Sequence, residues 1–101
     1  MTKNGVEMPT DAIDTFCRKW RIAELALFGS VLRSDFRQDS DIDFLVTFAP
    51  DAKWDLLDFV NIKDELERLF GRSVDLVEKK AVRSPLLRRE ILSNNEVIYA
   101  A

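Results

Sequence analysis

Acidic side chains and a single glycine turn carry the chemistry open to this sequence. Ser40-Asp41-Ile42-Asp43 opens an apolar run. Side chains alternate along a strand, so Asp41 and Asp43 converge on one face while Ile42 and Phe44 take the other. Carboxylates held that close repel unless something positive lies between them, and a hard divalent cation with oxygen ligands is the natural occupant. Aspartates also crowd turns for conformational reasons, so this pair by itself fits a solvated turn equally well. Val74-Asp75-Leu76 sets one more carboxylate inside an apolar run, where a charge without a partner is costly. If the two runs are neighbouring strands, about 4.8 Å apart, three carboxylates meet. Phe28-Gly29-Ser30 reads as a strand-to-helix turn: glycine lets the backbone approach a ligand, N–H groups at the turn face phosphate, and Ser30 adds a hydroxyl. Alone this turn is weak, and it matches neither the P-loop nor the dinucleotide fingerprint.

Other chemistries are excluded by composition. There is no histidine, which removes the usual general base and every His-containing zinc or triad scheme. The one cysteine, Cys17, forms no intramolecular disulfide, and its neighbours Phe16 and Trp20 mark it as a core residue rather than a nucleophile. Carboxylates are left to do the acid–base work.

The elements that must position these residues follow from periodicity. A helix is predicted from Thr10, with Ile13, Phe16, Cys17 and Trp20 at helical spacing. Ile22–Phe28 is a buried strand stopping at Gly29, Val31–Phe36 a short helix, and Ile42–Phe48 a second strand after the Gln38-Asp39-Ser40 turn. Leu56, Phe59, Ile62, Leu66 and Leu69 define a helix over Trp54–Phe70, capped by Gly71. Ser73–Val77 is a strand, Ser84-Pro85 starts a helix continued by Leu87 and Ile91, and Glu96–Tyr99 is a last strand. The order implies an α/β layer structure around a central sheet.

With 101 residues, 47% hydrophobic and 33% charged, the chain has room for one domain and one core, residues 1–101, with residues 1–8 loose. A net charge of −3 does not favour a polyanionic partner, so direct nucleic-acid binding is not expected. No apolar run approaches a membrane span and the start lacks a signal-peptide layout, which places the protein in the cytoplasm. Lys79, Lys80, Arg83, Arg88 and Arg89 form a basic cluster, read either as a solvated helix face or as a dock for an acidic partner or RNA. Trp54 and Phe59 read as core.

Leu27-Phe28-Gly29-Ser30, then Arg33, then Ser40-Asp41-Ile42-Asp43-Phe44-Leu45-Val46, with Val74-Asp75-Leu76-Val77 and Val97-Ile98-Tyr99 further on, resembles the DNA polymerase β-like nucleotidyltransferases. The match looks closest to the minimal nucleotidyltransferase (MNT) subfamily, the antitoxins of HEPN/MNT toxin–antitoxin pairs. Where that family often has Ala-Arg-Gly, this chain has Leu32-Arg33-Ser34, keeping the arginine and losing the glycine.

The resemblance implies the polymerase β-like fold: an α/β (α+β) single domain with a small central mixed β-sheet flanked by helices. It implies Gly29 and Ser30 at the triphosphate, with Arg33 and Ser40 counted among the nucleotide-binding residues; Arg33 also fits a plain surface arginine. Asp41, Asp43 and Asp75 would be the catalytic carboxylates and ligands of two Mg2+ ions, with Asp75 able to take the acceptor's proton. ATP would be the donor and a HEPN ribonuclease toxin the partner, in a hetero-oligomer, adenylylated on a hydroxyl, expected to be tyrosine, and thereby silenced. Two other functions fit the same residues: an antitoxin that neutralises by binding alone, and the catalytic subunit of a small-molecule nucleotidyltransferase.

Overall fold

In the computed structural model, which describes residues 2–101, two apolar runs form the centre of a four-stranded sheet. The elements in order are β1 (Thr2–Lys3), β2 (Val6–Glu7), α1 (Thr10–Lys19), β3 (Ile22–Phe28), β4 (Ile42–Phe48), α2 (Leu56–Phe70), β5 (Val74–Glu78), α3 (Pro85–Ser93) and β6 (Asn95–Ala100). The sheet order is β5-β4-β3-β6, and β4 pairs antiparallel with β3 and parallel with β5, so the sheet is mixed as expected.

The alternation of side chains gives the sheet two unlike faces. Leu25, Leu27, Ile42, Phe44, Val46, Val74 and Leu76 point into the main core against Ile13, Phe16 and Cys17 of α1 and Ile62 and Leu66 of α2. Ala26 and Leu45 point to the opposite face, where Ile91 of α3 covers them together with Phe28, Val77 and Val82. Cys17 is wholly buried and desolvation pushes its thiol pKa up to about 12, consistent with a core residue. Trp54 packs edge-on against Trp20, with ring centroids 5.3 Å apart, and its indole N–H donates to the Trp20 carbonyl at 2.9 Å. Both Trp54 and Phe59 pack on the core.

α2 begins two residues later than expected because Asp55 takes the N-cap. Its carboxylate accepts from the Asp58 N–H at 2.8 Å, and the Asp58 carboxylate accepts from the Asp55 N–H at 3.1 Å. Gly71 ends the helix with φ +68°.

Two stretches depart from expectation. Residues 31–36 do not form a helix: a four-residue 3₁₀ turn, Gly29–Leu32, is followed by irregular chain, with Arg33 already extended at φ −98° and ψ 148°. Four residues supply too few hydrogen bonds to propagate further. At the start, Met1 lies outside the described residues, but the remainder of the segment expected to be loose contains the β1–β2 ribbon, pairing Thr2 with Glu7 and Lys3 with Val6. Asn4 and Gly5 form its tip, both with positive φ (+47° and +83°), as a two-residue primed turn requires. Val6 and Met8 join the core.

Candidate active site

Phe28, Asp43 and Asp75 share one cross-strand row: Phe28 is the register partner of Asp43 across β3–β4, and Asp43 that of Asp75 across β4–β5. Paired residues point to the same face, here the one that α3 covers only further along, at Ala26 and Leu45. Asp43 is therefore half-buried on a central strand, with Asp75 one strand spacing away.

Asp41 and Ser40 sit just before β4, Asp41 exposed and Ser40 half-buried. Asp75 is also exposed, which corrects the expectation of a charge enclosed in an apolar strand: β5 is an edge strand, and only Val74 and Leu76 of its middle turn inward. Burial pushes the Asp43 carboxyl above its ordinary value, the Asp75 charge adds to this, the Ser30 N–H opposes it by donating a hydrogen bond, and Asp41 adds a smaller push.

Gly29 follows β3 with φ +72°, and a Cβ there would overlap Asp43 Oδ2 and lie 3.2 Å from its Cγ. The glycine thus makes room for the carboxylate as well as for the turn. Ser30 is half-buried in the 3₁₀ turn, and its N–H is the group that favours the charged form of Asp43. Arg33 is exposed, with Nε 3.4 Å from Asp35 Oδ1. It lines a cleft of about 690 Å³ with Gly29, Leu87, Asn94 and Glu96, and none of the three aspartates lies on the wall of that cleft.

Among the described residues no three Asp, Glu or Cys side chains are gathered into a ready-made metal cage. The charges on Asp41 and Asp75 nonetheless reach Asp43, which a cation would relieve. Mg2+ suits such a place, because it is held by one or two carboxylates, substrate phosphates and waters rather than by an all-protein cage.

A profile of the nucleotidyltransferase domain matches residues 10–98 of this chain. The chain belongs to the nucleotidyltransferase domain family. It is 35% identical over 81 residues to protein adenylyltransferase MntA of Thermococcus cleftensis, covering 80% of this chain and 77% of that protein. It is 37% identical over 81 residues to a Methanocaldococcus jannaschii protein assigned as a protein adenylyltransferase, covering 80% and 79%. A solved structure assigned as a minimal nucleotidyltransferase superposes with TM-score 0.69 at 35% identity, covering 85% of each chain. A chain from the complex of tri-AMPylated Shewanella oneidensis HEPN toxin with its MNT antitoxin shares the fold at 19% identity, TM-score 0.64, covering 91% of this chain and 70% of that one.

Two residues of this nucleotidyltransferase domain that the sequence did not single out brace the segments carrying the candidate residues. Asn4 donates from Nδ2 to the carbonyls of Val31 (2.6 Å) and Arg33 (2.9 Å), tying the ribbon tip to the turn that carries Gly29 and Ser30. Arg72 reaches the loop before Asp41. The Asn4-Gly5 pair is a hairpin signal that could have located the first; nothing in the spacing points to the second. The basic cluster is partly internal: Lys79 pairs with Glu24 at 3.8 Å and Arg88 donates to the Lys79 carbonyl at 3.2 Å. Among the described residues no helix is long and apolar enough to cross a membrane.

Proposed function

We propose that this nucleotidyltransferase domain, residues 1–101 acting as one unit, transfers AMP from ATP to a hydroxyl, expected to be tyrosine, of a HEPN-type toxin and so acts as its antitoxin. The observation that carries this reading is the register Phe28–Asp43–Asp75, which puts two carboxylates on one open face beside the Gly29-Ser30 turn. The naming of MntA relatives as protein adenylyltransferases and the tri-AMPylated HEPN toxin solved with an MNT antitoxin support the choice of donor and acceptor.

In this reading Asp41, Asp43 and Asp75 would hold two Mg2+ ions with the help of the phosphates, and Gly29, Ser30, Arg33 and Ser40 would line the triphosphate. Bound divalent metal supplies neutralisation of the triphosphate charge and a lowered pKa for the attacking hydroxyl. Asp75, exposed on the edge strand, can be approached by a protein acceptor, and it takes the hydroxyl proton. The acceptor oxygen forms its bond to the α-phosphorus as the bond to the β-phosphate oxygen breaks, and pyrophosphate leaves. Asp43 is carried by a central strand beside the Gly29-Ser30 turn, so in this reading it orients rather than exchanges protons.

The test is incubation of the chain with Mg2+, α-labelled ATP and a HEPN-type toxin protein, with Asp41→Ala/Asp43→Ala as control. Label on the partner that disappears in the control supports the proposal. A stable complex with no label instead assigns neutralisation to binding alone.

A further inference from the structure

The loop that brings Ser40 and Asp41 to the site, residues 37–40, lies outside the helices and strands and contains one backbone bond of its own, from the Ser40 N–H to the Arg37 carbonyl at 3.1 Å. Its carbonyls are gathered by a side chain from the joint between α2 and β5. Arg72 Nη2 donates to the carbonyl oxygens of Arg37 (3.0 Å), Gln38 (2.8 Å) and Ser40 (2.5 Å). A guanidinium NH2 carries two hydrogens, so the three acceptors share them. The same guanidinium lies over the Phe36 ring, 4.7 Å from its centroid, while its Nε is buried without a hydrogen-bond partner. One residue further on, the Ser73 carbonyl accepts from the Ile42 N–H at 3.1 Å, so the joint between α2 and β5 is fastened on both sides of Asp41.

We propose that Arg72 is a positioning residue for the metal end of the site: by fixing the backbone of residues 37–40 it sets where Asp41 stands relative to Asp43, and so sets the affinity for the divalent cation. This rests on the metal-dependent reading above. Asp41 needs such help because it is exposed and precedes the first residue of β4. A flexible carrier of one carboxylate would spend part of the cation's binding free energy on ordering the loop. Because a single nitrogen makes all three bonds, a lysine ammonium, with three hydrogens, can replace it, whereas an uncharged side chain of similar length cannot.

The experiment measures Mn2+ binding by electron paramagnetic resonance, on the full chain with a non-hydrolysable ATP analogue, for wild type, Arg72→Met and Arg72→Lys. Arg72→Met is expected to bind Mn2+ ~10-fold more weakly, as loss of a supporting contact around a metal site commonly does, with Arg72→Lys recovering most of the loss. Hydrogen exchange of the Ser40 and Ile42 amides is expected to quicken in Arg72→Met while the β3 amides keep their protection. A folded Arg72→Met that binds Mn2+ as wild type does overturns the proposal, as does an Arg72→Lys no better than Arg72→Met. If Arg72→Met does not fold, Phe36→Leu, which removes the ring beneath the guanidinium, takes its place: weakened Mn2+ binding supports the proposal and unchanged binding overturns it. Wild type that binds no Mn2+ refutes the metal-dependent reading and this proposal with it, an outcome distinct from equal binding by wild type and variant.

Discussion

Alanine at Gly29 is expected to be far more damaging than alanine at Gly71. Both glycines are left-handed, at φ +72° and +68°, so both substitutions carry the same backbone cost, about 1–2 kcal/mol. At Gly71 the new Cβ meets no heavy atom within 4 Å, whereas at Gly29 it overlaps Asp43 Oδ2 and stands 3.2 Å from Cγ. The carboxylate must then swing by roughly 1 Å to reach ordinary contact distance. That movement draws it away from the Ser30 N–H that steadies its charge, and an N–H facing a charged acceptor is worth about 1.5–3 kcal/mol. Lower crowding against Asp75 offsets part of the loss, so about 2 kcal/mol is the expected excess at Gly29, or ~10 °C in melting temperature for a domain of this size. Thermal unfolding followed by far-ultraviolet circular dichroism measures both variants. Gly29→Ala made in an Asp43→Ala background should cost no more than Gly71→Ala, because the overlapping oxygen is gone. Equal melting temperatures for the two single variants would refute the steric coupling. With Asp43 in its proposed role at the metal, a displacement of that size should also reduce nucleotidyl transfer ~100-fold.

Asp43→Asn is expected to raise the melting temperature at neutral pH without metal and to abolish transfer. The folded-state pKa of Asp43 is raised, so its contribution to stability is complete below the ordinary carboxylate value and is lost as pH rises through the folded value. The gain should therefore shrink in acid, and a gain that persists unchanged at pH 3 would contradict the assignment. Asp75→Asn should give a smaller gain, measured the same way, because Asp75 is exposed. Asn4→Ala removes both bonds to the 3₁₀ turn and should cost about 1–2 kcal/mol, with several-fold weaker binding of an ATP analogue by calorimetry; unchanged affinity would show that the ribbon plays no part in holding the turn. Cys17 should resist thiol reagents at neutral pH until the chain is unfolded by denaturant, since its thiolate is scarce and buried; reaction in native buffer would contradict this burial.

The strands, the long helix and the aspartate spacing were legible because each depends on local pattern: β3 and β4 have the predicted bounds, and the apolar steps of α2 end at Gly71. What was missed depends on partners distant in sequence. That Asp75 is exposed follows from β5 lying at the sheet edge, and sheet order is not written in the spacing of apolar residues. The missing helix after Gly29 reflects one buried residue, Val31, in place of an apolar stripe, leaving the chain free to follow the carbonyl contacts that Asn4 offers. Arg72 resembles any arginine after a helix until the loop it holds is folded beside it. The ribbon was readable from Asn4-Gly5, yet its role in the site was not.

The clamps also set an order of assembly during synthesis. A chain emerging from its amino end carries Asn4 out early, but that side chain has nothing to grip until Val31 and Arg33 follow. The aspartate loop then waits longer, since Arg72 lies 32 residues beyond Ser40 and β4 finds β5 only afterwards. A nascent or truncated chain ending before Arg72 therefore carries Gly29, Ser30, Asp41 and Asp43 but has neither the clamp on the aspartate loop nor Asp75, so Asp43 gains its register partner only after most of the chain has been made.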